Sequence, residues 1–396
     1  MPIYLDHAAT TPLRREALEA MLPLLGEAFG NPSSPHGFGR AARAALDDAH
    51  ERIAGRLNAG PREIVLTSGG TEALNLGLKG AAWAGKAHGH RVITTRVEHH
   101  AVLHPLGHLG KFGFEVVELP VDRYGRVDPD EVEAALTDRT ILVAIGLANN
   151  EVGTIQPIAE IGRRILARGP KGCHFLVDAV AAASYLPLDV DVLGCDLLAI
   201  AGHKFEGPKG SGALYVRRGT NLLAQQQGGT QERYRRAGTE DVAAAVGMAV
   251  AFDLAVAERE VTVRRLRKSR DRLRAALLAL PGVEPTGHPK DRLPGLLSVV
   301  VGEADGAGIV SKLDLDGVAA SVGSACTTGS AEPSHVLTAM GYPDEEARGA
   351  LRFSLGRTTT DDDLELACEI VPRDIAAART AAIALAADPL GQAVGR

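Results

Sequence analysis

The chain has 396 residues, of which 45% are hydrophobic and 23% charged, and its formal net charge at pH 7 is −6. This composition is that of an ordinary globular protein, and the length is typical of two domains. The mildly acidic balance, without a long run of one sign, disfavours nucleic acid or an anionic membrane as a partner, and no apolar run approaches the roughly 20 residues that span a bilayer.

The N-terminus and the cysteines predict a cytoplasmic protein. The first residues, MPIYLDHAATTPLRRE, contain no basic stretch followed by an apolar one, so we expect no secretory signal. Cys173, Cys195, Cys326 and Cys368 are far apart and form no CxxC pair. This spacing disfavours a disulfide framework or a zinc site and favours a reducing compartment.

Short apolar runs alternate with helical stretches from about residue 60 to residue 217. The predicted strands are Glu63–Ser68, Arg91–Thr95, Glu115–Leu119, Ile141–Leu147, His174–Asp178, Leu197–Ala201 and Ala213–Val216. Buried strands that alternate with helices are typical of a mainly parallel sheet covered on both faces. We therefore predict an α/β fold with a seven-stranded sheet, whose ligands bind at the carboxyl ends of the strands.

A long helix and a smaller α/β unit are predicted after this sheet. The helix covers about residues 242–279, and we interpret its basic part, Arg264–Arg274, as a solvated face. Further strands are predicted near Leu296–Val301, Val318–Val322 and Leu351–Leu355. A closing helix should begin at Thr360, where three aspartates suit the N-terminal dipole.

A lysine follows one of the buried strands. The strand Leu197–Ala201 ends in Gly202-His203-Lys204, and a glycine-rich loop comes next. A lysine is rarely buried without a partner, and burial lowers its pKa, which makes the amine a nucleophile that can form a Schiff base. The alternative interpretation is a solvated lysine beside a tight turn.

Other predicted strands also end in residues with useful chemistry. They are followed by Gly70 and Thr71 at a helix start, by His99, by Asn149 and Asn150, and by Asp178. Free amides and the dipole at a helix start favour a phosphate. Paired asparagines can instead form a turn, and Asp178 can instead cap a helix.

Histidines at helical spacing offer a competing metal site. They are His100, His104 and His108. We expect Pro105 and Gly107 to interrupt that helix, and no carboxylate or cysteine completes a ligand shell, so we expect no metal and a single histidine, His99, in the pocket.

An amine, a carboxylate, an imidazole, an amide and a phosphate-binding helix start together fit pyridoxal phosphate. Lys204 would form the Schiff base with this cofactor. Asp178 would keep the pyridine nitrogen protonated, so that the ring can accept the electrons of a carbanion, and the helix start would bind the phosphate.

Eight motifs along nearly the whole chain resemble those of one enzyme family. They are YLDHAATTP (Tyr4–Pro12), GNPSSPH (Gly30–His36), TSGGTEALN (Thr67–Asn75), NNEVGTIQP (Asn149–Pro157), GHKFEGPKG (Gly202–Gly210), RRAGTEDV (Arg235–Val242), GSACTTGS (Gly323–Ser330) and RFSLGR (Arg352–Arg357). They are similar to cysteine desulfurases of the NifS/IscS type, in the class V aminotransferase branch of the fold type I enzymes that use pyridoxal phosphate. The resemblance implies a homodimer. It also implies a large cofactor-binding domain over residues 15–258, and a small domain of residues 1–14 and 259–396 with a catalytic-cysteine loop at about 322–334.

The resemblance implies roles around the cofactor. Lys204 would be the Schiff-base lysine and Asp178 the partner of the pyridine nitrogen. His99 would stack on the ring and help to move protons, and Asn150 would lie near the phenolic oxygen. The residues expected at the phosphate are Gly70, Thr71 and His203, with Thr239 of the partner subunit.

The resemblance also implies a substrate site. Asn31 and Arg352 would hold the substrate carboxylate, and the guanidinium suits this group because it can form two parallel hydrogen bonds. Cys326 would be the nucleophile, and the small polar residues around it suit a thiol that must travel with its sulfur. The other three cysteines, beside apolar residues, are interpreted as structural.

Two positions depart from the family pattern. The family usually has Gln three residues after the aspartate, where this chain has Ala181, and Ser before Gly-His-Lys, where it has Ala201. We expect an altered cofactor absorbance and weaker phosphate binding, each change costing about 1 kcal/mol.

The function implied is the removal of sulfur from L-cysteine, giving L-alanine and a Cys326 persulfide. The persulfide would pass to a sulfur-acceptor protein for iron–sulfur cluster assembly or thiolation. The alternatives are a selenocysteine lyase or a cysteine C–S lyase on the same scaffold, a plain aminotransferase, and a non-catalytic binding protein with a degenerate cofactor site.

Overall fold

The computed structural model describes residues 2–323 and 333–387, with side chains to residue 381. The strands are β1 (Ile3–Tyr4), β2 (Ile64–Thr67), β3 (Arg91–Thr95), β4 (Glu115–Leu119), β5 (Thr140–Gly146), β6 (His174–Asp178), β7 (Leu197–Ala201), β8 (Gly212–Val216), β9 (Val283–Pro285), β10 (Leu296–Val301), β11 (Val318–Ala319), β12 (Ser321–Val322) and β13 (Ala350–Ser354). The helices are α1 (Arg15–Leu25), α2 (Gly37–Leu57), α3 (Gly70–Gly85), α4 (His100–Gly110), α5 (Pro129–Ala135), α6 (Ile158–Arg168), α7 (Val190–Leu193), α8 (Val242–Leu278), α9 (Gly306–Leu315), α10 (His335–Ala339), α11 (Asp344–Arg348) and α12 (Asp361–Ala387). No helix in the described part of the chain is long and apolar enough to cross a membrane.

The central sheet has seven strands in the order β2-β8-β7-β6-β5-β3-β4. The pairs among β3, β4, β5, β6 and β7 are parallel, and β8 is antiparallel to both of its neighbours, β7 and β2. The prediction of a mainly parallel seven-stranded sheet is confirmed. Because β8 reverses direction between them, β2 and β7 run the same way, and the carboxyl ends of β2, β3, β5, β6 and β7 lie at one edge.

Both faces of this sheet are covered by apolar packing. In β6, Phe175 and Val177 belong to one buried cluster, whereas Leu176 between them belongs to another. Alternate side chains of a strand point to opposite faces, so these two clusters are the cores on the two sides of the sheet. Strands buried on both faces explain why the sequence showed continuous apolar runs.

A second sheet follows the long helix α8. It has four antiparallel strands in the order β12-β13-β10-β9, and β1 pairs with β11 in a separate parallel pair. The prediction of a single strand over Val318–Val322 is wrong. Ala320 separates β11 from β12, because the chain changes there from pairing with β1 to pairing with β13.

The prediction that Pro105 and Gly107 interrupt the helix after His99 is also wrong. Helix α4 is continuous from His100 to Gly110. The Pro105 ring is buried, together with Leu106. This packing offsets the one backbone hydrogen bond that a proline inside a helix cannot donate.

Candidate active site

A cavity of about 320 Å³ lies where the central strands end. Eight of the predicted site residues line it: Gly70, Thr71, His99, Asn150, Asp178, His203, Lys204 and Arg352. They come from segments far apart in sequence, and the common direction of the strands brings them together. The cavity is therefore the candidate active site.

Lys204 stands at the end of a short turn, Gly202–Lys204, directly after β7. Its amine donates hydrogen bonds to the carbonyl oxygens of Ala8 and Ala9. The N-terminal segment is held against the same turn by Thr11, whose hydroxyl donates to the carbonyl of His203 at 2.8 Å. The lysine is thus a fixed amine at the cavity wall, and not a solvated loop lysine.

Asp178 is the last residue of β6, and its carboxylate accepts a hydrogen bond from the Val180 N–H at 2.9 Å. Burial raises the pKa of this carboxyl to about 6, while the Val180 bond and the positive charge of Lys204 oppose the rise. The group is therefore largely ionised at neutral pH. A buried carboxylate of this kind suits a protonated ring nitrogen.

The start of α3 forms a tight cradle. A Cβ on Gly70 would lie 2.8 Å from Val180 Cγ2 and 3.3 Å from Ala201 Cβ, so only glycine leaves this surface clear. Gly69, with φ +150°, allows the turn from β2 into the helix. The first amides of this helix and its dipole favour a phosphate group next to Thr71.

His99 caps helix α4 through its ring. Its Nδ1 accepts a hydrogen bond from the Ala101 N–H at 3.0 Å, so the neutral ring carries its proton on Nε2. Burial, together with the positive charge of Lys204 and the neighbouring histidines, lowers the pKa of His99 to about 4. The ring is therefore neutral and offers one N–H donor.

Arg352 lies on β13 and is only 1% exposed. It donates to the carbonyl of Asn150 at 3.1 Å and to Asp6 Oδ1 at 2.8 Å. Its Nε has no hydrogen-bond partner among the described residues. A buried guanidinium with donor capacity left over suits a substrate carboxylate.

The two adjacent asparagines have different surroundings. Asn149 Oδ1 accepts from the N–H groups of Glu151 and Val152 at 2.8 and 2.9 Å, and its amide donates to the Val97 carbonyl at 2.8 Å. Asn149 is therefore the residue that forms the turn. Asn150, next to it, lines the cavity.

Three predicted site residues are not found in this cavity. Asn31 is exposed, and its side chain accepts a hydrogen bond from the Ser33 N–H at 2.9 Å. Thr239 is also exposed and lines a separate cavity beside Arg236. Cys326 lies outside the described residues. The roles of these three residues remain predictions.

Glu98 also lines the cavity, although no role was predicted for it from the sequence. It is 4% exposed, and its carboxyl accepts hydrogen bonds from the Thr95 hydroxyl at 2.7 Å and the Gly146 N–H at 2.8 Å. Burial, with a smaller contribution from the nearby Asp178, raises the pKa of Glu98 to about 8, against the effects of its hydrogen bonds to Thr95 and Gly146. The available signal was a carboxylate just after a buried strand and next to His99.

The histidines beside the cavity stack with one another. His100 lies 4.8 Å from His104 and 4.7 Å from His335 between ring centroids. Across the described ranges, no group of three or more His, Cys, Asp or Glu side chains is arranged to hold a metal ion.

The described cysteines have weakly acidic thiols. Burial raises the pKa of Cys173 and of Cys195 to about 12, and it also raises the pKa of Cys368. A thiol in this state is a poor nucleophile, which agrees with the structural interpretation of these three residues.

These residues fit pyridoxal phosphate. The amine of Lys204 and the carboxylate of Asp178 face one cavity, and the side-chain-free surface at Gly70 adjoins a helix start that can bind a phosphate. Amine, carboxylate and phosphate cradle are the three groups that the cofactor requires.

Comparison with known proteins gives the family. The model of the class-V aminotransferases matches residues 3–366, so the chain belongs to this family. A protein named cysteine desulfurase IscS from Methanosarcina thermophila is 48% identical over 370 residues, which are 93% of this chain and 91% of the relative. A solved structure of a NifS-like protein is 34% identical, covers 95% of this chain and 100% of its own, and has a TM-score of 0.90. The structure named SspA in complex with cysteine is 33% identical, with 90% and 99% coverage and a TM-score of 0.78.

Proposed function

We propose that this protein is a cysteine desulfurase that uses pyridoxal phosphate to convert L-cysteine into L-alanine and a persulfide on Cys326. The observation that carries the proposal is the convergence of Lys204, Asp178 and the Gly70 cradle on one cavity, with Arg352 in its wall. The family and the cysteine desulfurases among its relatives support the same activity.

The cofactor's ring, when bound, would stabilise negative charge at the substrate Cα. Lys204 would hold the cofactor aldehyde, Asp178 the ring nitrogen, and the start of α3 the phosphate. Arg352 would orient the substrate through its carboxylate, because the guanidinium retains a donor and is fixed by Asp6.

Lys204 is the base that we propose for the Cα proton. Its amine lies within hydrogen-bond reach of the Ala8 and Ala9 carbonyl oxygens, which can receive the ammonium after it has taken that proton. His99 is less suited to accept a proton, because its free nitrogen lone pair already caps α4. We propose instead that its Nε2–H donates a hydrogen bond inside the cavity.

The sulfur step needs no external oxidant. The Cys326 thiolate would attack the substrate sulfur, the new S–S bond would form, and the Cβ–S bond would break. Its electron pair would remain on Cβ, which takes up a proton to become the methyl group of alanine. The persulfide sulfur would then pass to an acceptor protein of iron–sulfur cluster assembly or of thiolation.

The test is alanine formation from L-cysteine, with a reductant, by the cofactor-loaded protein and two variants. We expect the parent to form alanine, Lys204→Ala to form almost none, and Cys326→Ala to form almost none while still showing an L-cysteine-dependent change in visible absorbance. Normal alanine formation by Lys204→Ala would overturn the assignment. Equal formation by Cys326→Ala and the parent would indicate a lyase that needs no thiol.

The assembly and the location belong to the same proposal. Exposed Thr239 is available to a second copy of the chain, and we propose a homodimer in which it completes the partner's phosphate site. The three described cysteines are free thiols. This state supports a cytoplasmic location, since disulfides are rare there.

A further inference from the structure

Glu151 is a buried carboxylate that the proposed reaction does not use. It is 6% exposed and follows Asn150 in the turn that borders the cavity. Burial raises the pKa of this carboxyl, against the effects of its bond to Ser334 and of the nearby His335 and Arg352. Burial of a carboxyl group is costly unless the group is hydrogen-bonded, so the residues that it contacts indicate its structural role.

Its partner is Ser334, the residue that precedes and caps α10. The Ser334 hydroxyl donates to Glu151 Oε2 at 2.6 Å, and Ser334 is 3% exposed. The same hydroxyl oxygen accepts the Leu337 N–H at 3.2 Å and so caps α10. Glu151 therefore fixes the orientation of the capping hydroxyl.

Gly323 lies at the same carboxylate. A Cβ on Gly323 would be 3.6 Å from Glu151 Oε2 and 3.7 Å from Ser334 Cβ. Along the chain, Gly323 and Ser334 flank the segment that contains Cys326. The Glu151 carboxylate thus binds Ser334 on one side of that segment and lies close to Gly323 on the other.

The turn that carries Glu151 is itself fixed to the cavity wall. Its N–H donates to Asn149 Oδ1 at 2.8 Å, and the carbonyl of Asn150 accepts from Arg352 at 3.1 Å. A second hydrogen bond connects His335, the residue after Ser334, to the cavity wall: its Nε2 lies 3.0 Å from the Glu98 carbonyl oxygen. The position of Ser334 is therefore set relative to the cavity, and not only relative to α10.

We propose that Glu151 is a positioning residue for sulfur transfer: it fixes Ser334, on one side of the Cys326 segment, next to Gly323 on the other side and against the turn that borders the cavity. The proposal rests on the proposed desulfurase activity. It assigns Glu151 no part in chemistry at the substrate Cα, which depends on Lys204. Loss of the carboxylate should therefore impair the thiol-dependent step and spare proton removal.

The experiment measures the two steps separately in the cofactor-loaded protein. Exchange of the Cα proton of L-alanine in D₂O, followed by NMR, reports on proton removal by Lys204 and does not require Cys326, whereas alanine formation from L-cysteine does. For Glu151→Ala we expect exchange within about twofold of the parent and alanine formation reduced at least about tenfold, since small misplacements of a reacting group have effects of this size. Glu151→Gln keeps an acceptor for Ser334 and should stay within about threefold of the parent.

Two further variants keep the test decisive. Ser334→Ala removes the same hydrogen bond from the other side and should give the same split, and combining it with Glu151→Ala should add little. Glu345→Ala, which removes an exposed carboxylate on nearby α11, is the matched control and should change neither step. An equal fall in both steps, or no fall in either, for Glu151→Ala and Ser334→Ala would overturn the proposal. Absence of alanine formation in the parent would instead overturn the proposed function, and the role of Glu151 with it.

Discussion

Glu98 illustrates at the scale of one residue how burial sets a charge state. Its pKa of about 8 lies above the usual 4.5, because burial disfavours the charged form. Between these two pH values the folded chain binds more protons than the unfolded chain. The free energy of unfolding should therefore fall as pH rises through this window, and the protonated form below it is the more stabilising one.

Replacing Glu98 by Gln should remove that pH dependence. The new carbonyl can accept from the Gly146 N–H and the new amide can donate to the Thr95 hydroxyl oxygen, so the variant resembles the protonated acid at every pH. The difference in melting temperature between the variant and the parent should therefore increase, in favour of the variant, by roughly 2–4 °C from pH 5 to pH 9. Differential scanning calorimetry measures this, with the exposed Glu369→Gln as control. Parallel curves for parent and Glu98→Gln would contradict the prediction.

The small side chain of Ala181 leaves an unfilled space beside Lys204. A second cavity of about 20 Å³, lined by Ala181, His7, Tyr185 and Asn150 among others, is large enough for one water molecule. His7 is 3% exposed, and its Nδ1 has no hydrogen-bond partner in the described chain.

Ala181→Gln should change the cofactor's titration. An amide donor near the phenolic oxygen would withdraw charge from it, so the pH midpoint of the visible absorbance should fall, and cofactor affinity should rise about fivefold for one added hydrogen bond. Absorbance titration and equilibrium binding measure the two effects. Ala181→Leu fills similar space without a donor, and a midpoint shift of equal size in this control would contradict the explanation.

The identities of most cavity residues could be predicted from the sequence, but their partners could not. Asp178 and Lys204 stand directly after apolar runs, and that local signal places them at one edge of a parallel sheet. The acceptors of the Lys204 amine are 195 and 196 residues away in the chain. No local periodicity encodes such a contact, and the buried state of Glu98 depends on contacts of the same kind.

At the scale of elements, the turn Asn149–Gly153 connects two strand ends. The Asn149 side chain is 7% exposed; its amide donates one hydrogen bond to the Val97 carbonyl after β3, and its Oδ1 accepts two from Glu151 and Val152 within the turn. The turn in this way fixes the relative position of His99 and Asn150, which come from different strands. Loss of this turn should therefore disturb the arrangement of the side chains around the whole cavity.

Asn149→Ala should destabilise the protein by about 3 kcal/mol, since three buried hydrogen bonds of about 1 kcal/mol each are lost. Asn149→Asp keeps the two acceptor contacts and loses the donor to Val97, so we expect a smaller loss. Chemical unfolding measures the free energy of unfolding, which should decrease from the parent to the Asp variant and from the Asp variant to the Ala variant. The same stability for the Ala variant and the parent would show that the turn is held by other contacts.

Helices and strands could be predicted where the sequence pattern was long or strongly apolar. The positions at which a helix or strand breaks or continues could not. The predicted range 242–279 agrees with α8 within one residue. Pro105 stays inside α4 because the ring is buried, and β11 and β12 separate because they pair with different strands. In both cases tertiary packing overrides a local preference that the sequence expresses correctly.

At the scale of the whole molecule, the surface near the N-terminus is unusually apolar. Leu18, Leu22, Leu25, Phe29 and Phe38 are each between 43% and 71% exposed, and the rings of Phe29 and Phe38 stack at 5.4 Å. The three leucines share one face of α1, since they are four and three residues apart. Clustered exposed apolar side chains of this kind usually mark a protein–protein contact.

We therefore expect two chains per particle, and Phe38→Asp should shift the mass toward a single chain. The Phe38→Asp variant should also bind the cofactor more weakly, because the proposed contribution of Thr239 to the partner's phosphate site would be lost. Light scattering after size exclusion measures the mass. Leu166→Asp, at an 87% exposed position on α6, is the control and should leave the mass unchanged. A parent protein that elutes as a single chain would contradict the prediction.

The fold class followed from the sequence because seven short apolar runs recur with helices between them, whereas the strand order did not. The order places β8 between β7 and β2, strands that are far apart in sequence. Strand neighbours are set by packing over the whole sheet, which a pattern along one run does not express.

The N-terminal segment has a consequence for how the protein is made. Asp6 binds Arg352, and the Ala8 N–H binds Ser354, so these residues acquire partners that are synthesised 346 residues later. The central sheet can assemble during translation, since domains form as the chain emerges. The wall of the cavity beside Lys204 cannot assemble at that stage, because it needs Arg352 and Ser354. A nascent chain should therefore fold most of its core early and gain a complete cofactor site only after Arg352 and Ser354 have emerged from the ribosome.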